Sequence, residues 1–320
     1  MAGLVSRRTA IALGACALAA PAVAAEWPSR PVRIIAPSTP GGAADTFGRI
    51  LAEKLGEMFH ERFIVENQAG AGGLLGAAAT ARAAPDGYTF TTSSIAYHAI
   101  APAVSANPGF DPMKDFTHIA FIGGPPNVFV VSPSLKITTL KELMDRARTE
   151  TFGYVSPGTG TLGHLLGEYF ALKTGIKLQH IPTKGASQAM MDIVSGNVTV
   201  GTMTWTSALG QLRAKQVIPI AVSASQRLRE FPDLPTFKEL GYDDLVATTW
   251  FGFSGPAGLD PALTTKLNAA VVKSLAMPDV KERFERDAIE TKEMTSAEFT
   301  AFMASEIAKW APIAKRVVQN

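Results

Sequence analysis

A single cysteine, five histidines and a low share of charged residues (18%) leave this chain with little reactive chemistry. Cys16 lies in a stretch expected to be cut away. Without it, disulfides, cysteine-based metal sites and cysteine nucleophiles are all excluded. The histidines (60, 98, 118, 164, 180) are scattered, with no H-E-x-x-H and no pair at ligand spacing. They read as surface or packing residues, so no metal and no cofactor is expected. No G-x-S-x-G occurs, which leaves an esterase elbow unsupported. His164 follows Gly163 where a phosphate-binding loop needs Lys-Ser/Thr. Charge of one sign is also missing: 30 Lys+Arg stand against 28 Asp+Glu. Nothing here points to nucleic acid or a membrane surface as partner.

Residues 1–25 are expected to be a bacterial signal peptide. Arg7 and Arg8 form a positive region, Thr9 to Ala20 an apolar stretch, and Ala22-Val23-Ala24-Ala25 a small-residue cleavage site. The stretch is too short and alanine-rich for a membrane span. Ser6-Arg7-Arg8 hints at twin-arginine export and Leu13-Gly14-Ala15-Cys16 at a lipoprotein box, but the general secretory route without lipidation fits better. Removing the two arginines takes Lys+Arg to 28, equal to the acids. The expected location is the periplasm. The 47% hydrophobic residues, 28 Gly and 21 Pro describe a packed protein with many turns, long enough for two domains.

Two Gly-rich turns organise the chain. Val32 to Ala36 reads as a strand, Pro37 to Gly42 as a turn, and Phe47, Ile50, Leu51, Leu55, Met58 and Phe59 as one face of a helix. Gly41 and Gly42 allow a tight turn, and the first N–H groups of the following helix have no internal acceptor. The helix dipole is positive at that end, so the turn can hold an anion without a charged side chain. Asp45 reads as support for this helix start. The design recurs at Tyr154 to Gly163, where Ser156, Thr159 and Thr161 add hydroxyls. Gly158-Thr159-Gly160-Thr161-Leu162-Gly163 fits G-x-G-x-x-G, but the next strand ends in Gln179-His180, without the acid that holds a ribose. A small anion is therefore the better reading.

Strands and helices alternate between these turns, which implies right-handed βαβ units and mainly parallel sheets. Ser93-Ser94 close a strand beginning at Tyr88. A first crossing between domains is expected at Gly123-Gly124-Pro125-Pro126, and a return crossing in one long strand, Val246 to Ser254. Thr139/Glu142 and Thr295/Glu298 have the capping-box pattern. Lys184, at a strand end beside Gly185, offers a charge to an anion or is a solvated loop lysine. Thr204 and Trp205 end another strand, where Trp205 lines a cleft or packs in the core.

In this order the landmarks resemble the extracytoplasmic solute receptors of tripartite tricarboxylate transporters, the Bug family. They are Trp27 to Arg33, Pro40-Gly41-Gly42 with Asp45, Val65-Glu66-Asn67 with Gly70-Ala71-Gly72-Gly73, and Ala84 to Thr89. Pro126-Asn127-Val128, Tyr154 to Gly160, Lys184-Gly185, Thr249-Trp250-Phe251-Gly252 and Pro256-Ala257-Gly258 complete them. The resemblance spans essentially the whole mature chain. It implies a two-domain, type II-like periplasmic binding protein fold, each domain a mainly parallel sheet flanked by helices. The domains would comprise 26–124 with 250–320, and 125–249. It further implies a small carboxylate held by Ser38, Thr39, Pro40, Gly41 and Gly42 from one side and Ser156, Gly158, Thr159, Gly160 and Thr161 from the other. Asp45, Ser93, Ser94, Lys184, Thr204 and Trp205 complete the expected contacts, and the expected partner is a transporter's membrane subunits, with the receptor a monomer.

Departures bear on the ligand's far end. Ser38-Thr39 replaces the usual Phe-Pro, Thr183 a Tyr, and Ser93-Ser94 a Ser-Asn. The region Thr202 to Trp205 lacks a common Asp, which would suit a less cationic, aromatic or apolar distal group. Two other functions stay open from sequence: a sensor presenting the ligand to a kinase, and a secreted enzyme using Lys184 or a hydroxyl.

Overall fold

The computed structural model describes residues 27–183 and 185–319. The expected signal peptide, Cys16 and Lys184 lie outside them. Alternating βα units build two five-stranded sheets. In the first half, β1 (Val32–Ala36), α1 (Ala43–Phe59), β2 (Phe63–Asn67), α2 (Leu74–Ala81) and β3 (Thr89–Ser94) follow one another. A six-residue π-helix (Ile95–Ile100) and α3 (Ala101–Val104) lead to β4 (Phe116–Gly123). The second half runs β5 (Asn127–Val131), α4 (Leu140–Ala147), β6 (Phe152–Val155), α5 (Leu162–Thr174), β7 (Leu178–Ile181) and α6 (Ala186–Val194). It ends with β8 (Val200–Thr204), α7 (Trp205–Arg213) and β9 (Ile218–Val222). The chain then returns through β10 (Phe251–Pro256), α8 (Pro261–Leu275), α9 (Pro278–Arg286) and α10 (Ser296–Gln319).

Strand order is β2-β1-β3-β10-β4 in one sheet and β7-β6-β8-β5-β9 in the other. In each, one strand runs antiparallel to its neighbours: β10 and β5. The remaining pairs are parallel, β1 with β2 and β3, and β6 with β7 and β8. Each sheet thus has one edge where its parallel strands end and a helix begins. Apolar residues at helical spacing on α1, Phe47, Ile50, Leu51 and Leu55, are buried against the first sheet. Both capping boxes form: Glu142 N–H reaches Thr139 Oγ1 at 3.2 Å, and Glu298 N–H reaches Thr295 Oγ1 at 3.2 Å.

Two chain segments join the sheets. Gly124, Pro125 and Pro126 lead from the end of β4 to the start of β5. Residues 246–250 lead back to β10. The expected single strand from Val246 to Ser254 begins only at Phe251. The reason is chemical. Its partner across the crossing is Pro125-Pro126, and proline has no N–H to extend a ladder. Only the Pro126–Thr248 bridge and a 2.9 Å bond from Thr249 N–H to Pro125 O remain.

Candidate functional site

The crossings decide where the two Gly-rich turns point. β4 ends at the carboxyl edge of the first sheet, and antiparallel β5 starts at the carboxyl edge of the second, opposite Thr204 at the end of β8. From Gly123 to Asn127 is four Cα steps, at most about 14 Å. The carboxyl edges therefore face each other at the crossings. The turn after β1 follows a strand three places from β4, and the turn after β6 a strand two places from β5, roughly 14 Å and 10 Å along their edges. Each turn lies at the carboxyl edge of its own sheet. One place in from the turns, Ser93 and Ser94 end β3, and Thr204 and Trp205 stand at the end of β8. At the outer edges lie the loop after β2 and, after β7, Thr183 and Gly185.

In the first turn Gly41 adopts φ +79°, a conformation in which glycine meets no penalty. A Cβ on Gly42, the N-cap of α1, would lie 2.9 Å from Ser38 Oγ, so the helix start has no room for a capping side chain. The N–H groups of Ala43 and Ala44 enter no hydrogen bond among the described residues. Ser38 Oγ donates to Thr39 O at 3.2 Å, and Thr39 and Pro40 are exposed. Asp45 is 3% exposed and does not reach outward. It accepts from Gly41 N (2.9 Å), Arg49 Nε (3.0 Å) and Asn67 Nδ2 (3.0 Å). The Arg49 guanidinium, followed by the bonds from Gly41 and Asn67, holds its carboxyl below the usual carboxylate range despite burial.

The second turn is tied differently. Thr161 caps α5, accepting from His164 N–H at 3.3 Å while its hydroxyl donates to Gly158 O at 2.8 Å. Ser156 is buried, and its Oγ lies 2.8 Å from His180 Nε2. Gly160 donates to His164 Nδ1 at 3.1 Å. The N–H groups of Thr159, Leu162 and Gly163 enter no hydrogen bond among the described residues. Gly163, third glycine of the G-x-G-x-x-G pattern, serves packing: a Cβ there would meet Thr202 O at 2.9 Å.

The inner positions are closed off in this conformation. Ser93 and Ser94 are buried; Ser254 Oγ donates to Ser93 Oγ at 3.0 Å, and Ser94 Oγ caps the π-helix at Ala96 N (3.4 Å). Thr204 Oγ1 pairs with Ser207 Oγ at 2.7 Å. The Trp205 ring is 1% exposed and packs edge-on against Phe231. The residue also lines the cavity between the loop after β9 and the end of α9. Sequence reasoning passed over Arg49, Asn67, His164 and His180, which hold the turns from behind. Their one legible signal is spacing: Gly41 to Asp45 and Gly160 to His164 are both four residues.

A cavity of about 570 Å³ lies elsewhere, between the loop after β9 and the end of α9. Two ion pairs lie within its lining, Arg213 with Glu230 at 2.7 Å and Arg229 with Glu285 at 3.6 Å, while Arg227 and Arg286 pair with Glu239 and Asp287. Among the described residues no group of His, Cys, Asp and Glu is placed to hold a metal ion, and no helix is long and apolar enough to cross a membrane.

The arrangement is shared with known proteins. The chain is 33% identical to Protein BugT of Bordetella pertussis over 308 residues, covering 95% of this chain and 94% of that one. Its fold is similar to R. palustris Rpa4515 solved with adipate (TM-score 0.81, 29% identity, 92% of this chain and 99% of that one). It is also similar to MatC from Rhodopseudomonas palustris with bound malate (TM-score 0.77, 26% identity, 90% and 100% covered). The family model described as tripartite tricarboxylate transporter family receptor matches residues 47–318. The chain belongs to the tripartite tricarboxylate transporter receptor family, the solute receptors that include the Bug proteins.

Proposed function

We propose that this receptor captures a small carboxylate in the periplasm, between two lobes that close on it, and passes it to the membrane subunits of a tripartite tricarboxylate-type transporter. What supports the reading is the pair of Gly-rich turns, each at the carboxyl edge of its sheet where a helix begins. Each presents backbone N–H groups with no acceptor among the described residues, at the positive end of a helix. N–H dipoles and ordered water can grip a carboxylate without an arginine or lysine. The adipate and malate bound by the two similar structures make aliphatic dicarboxylates the first class to try. The lobes would be 26–124 with 250–320, and 125–249, closing about the two crossings as a hinge. Ser38, Gly42, Ser156, Thr159 and Thr161 would line the contact, with Lys184 as a further charge for the anion.

Binding without turnover is the expected chemistry: the one hydroxyl–imidazole pair described at these turns, Ser156 with His180 at 2.8 Å, is buried on the serine side and engaged with the Gly158 backbone. The monomer is the expected working form. Thermal shift at neutral pH against succinate, malate, adipate, citrate and benzoate tests the reading. At least one should raise the melting temperature in a concentration-dependent way and be recovered chemically unchanged. No shift across the panel, or recovery of an altered compound, would overturn it.

A further inference from the structure

The two turns share one frame. Gly41 and Gly160 both take φ +79° and both stand one residue before the N-cap of their helix, Gly42 or Thr161. Each gives its N–H to the side chain four residues on, at the third helical position: Asp45 Oδ2 at 2.9 Å and His164 Nδ1 at 3.1 Å. An acceptor behind the turn is thus common to both lobes, but its chemistry differs. Asp45 accepts with a full charge, which Arg49 meets at 2.9 Å. His164 accepts with a ring lone pair, which exists only on an unprotonated Nδ1.

The surroundings of His164 keep it uncharged. The ring is buried, stacks on His180 with centroids 3.9 Å apart, and burial followed by that neighbour pushes its pKa down to about 4. His180 is itself pushed down to about 4 by burial and turns Nε2 to Ser156. From β6 the Tyr154 hydroxyl has its single proton within reach of two acceptors, His164 O (2.9 Å) and Glu168, one turn further along α5 (2.8 Å). From β8, Thr202 closes the other side by donating to Gly163 O at 2.6 Å. A bare carboxylate at position 164 would sit directly behind the N–H groups that are to receive an anion. Like charges held within one helical turn of each other weaken binding tenfold or more at the effective dielectric of a protein site.

We propose that His164 is the positioning residue of the second turn, and that both turns receive a carboxylate because the acceptor behind each is kept electrically neutral, by an uncharged ring in one lobe and by Arg49 in the other. This rests on the carboxylate-receptor reading above. Asparagine and aspartate have the same shape and both can accept from Gly160, so the pair isolates charge from geometry. Calorimetric titration at pH 7.5 with succinate, malate and adipate compares wild type, His164→Asn, His164→Asp, Arg49→Met and Arg49→Lys. His164→Asn should bind within about threefold of wild type, and His164→Asp at least tenfold more weakly. Arg49→Met, which bares Asp45, should weaken binding tenfold or more, and Arg49→Lys should restore most of it. If His164→Asp fails to fold by thermal melt, the Arg49 pair decides alone. Equal affinities for the Asn and Asp variants, or wild-type affinity in Arg49→Met, would sink the inference while leaving the receptor reading intact. A wild type silent to all three acids sinks the receptor reading first, and this inference with it.

Discussion

Asp45 shows how a carboxylate can serve an anion site without touching the anion. Its oxygens accept from Gly41, Arg49 and Asn67, so one side chain joins the first turn, α1 and β2. Asp45→Ala leaves the Gly41 N–H without its acceptor and the Asn67 amide with Ser38 O alone. It should cost about 2–3 kcal/mol in urea unfolding and abolish the ligand-induced thermal shift. Its folded pKa is lowered, so its contribution is present above the unfolded value of 3.8 and fades as pH falls through the folded one. The histidines act over a higher range. Burial pushes His118 and His164 down to about 4, and His98 further below its usual value. The unfolded chain takes up protons near 6.5 while the native chain does not, so stability drops as pH falls from about 6.5 toward 4. Each buried ring contributes up to about 1.4 kcal/mol per pH unit over its own window. The urea midpoint should therefore decline steadily from pH 7 to 4.5. A flat profile would mean these rings are charged in the native state. That Asp45 supports its helix start was legible from position alone. That His164 plays the same part was not, because nothing in a sequence shows which ring nitrogen faces which amide.

At the level of single elements, α5 carries the second turn and is fitted to its sheet by small residues. Gly167 lies against the Tyr154 ring, and a Cβ there would come within 2.3 Å of Tyr154 Cε2. The ring is buried and its hydroxyl is anchored to His164 O, so it cannot swing aside. Gly167→Ala should destabilise by about 2–3 kcal/mol and weaken ligand binding by tilting α5 away from β6. Circular dichroism melts and calorimetry would read the two effects, and an unchanged melting temperature would show that the helix–sheet gap is soft. Helix starts were readable in advance, since the Thr139 and Thr295 caps depend only on local spacing. The π-helix after Ser94 was not. Its six residues follow the buried polar run Thr91 to Ser94 with no breaker, and it is held by a Ser94 cap and packing that no local pattern encodes.

Over the whole molecule, α10 does more than complete the first lobe. Its residues pack against the π-helix and β4 on one side, and its last turns meet α5 of the other lobe beside Tyr169, Leu172, Ile313 and Val317. A single apolar cluster consequently runs from Ile95 and Phe121 through Phe299 and Trp310 to Phe170 and Phe129. Glu306 fixes this helix to the return crossing, accepting from Trp250 Nε1 at 2.7 Å and Trp310 Nε1 at 3.2 Å. Glu306→Ala strands two indole N–H groups in a largely buried site. It should cost about 2–4 kcal/mol and change how far the lobes close. Small-angle scattering with and without a stabilising carboxylate would show a smaller decrease in radius for the variant than for wild type. Equal decreases would place the hinge outside the Trp250 contact.

The order of the chemistry was present in the sequence: two glycine turns, each between an apolar strand and an amphipathic helix, in a chain with no thiol beyond Cys16 and a family's landmarks along its length. Period and spacing are local properties, so they survive without coordinates. Whether those turns share one space depends on strand order and on the short Pro-Pro crossing that sets two carboxyl edges face to face. Which side chains are spent holding the turns from behind, as Asp45 and His164 are, rather than left free for a ligand, depends on contacts between residues far apart in sequence. Only packing in three dimensions decides that.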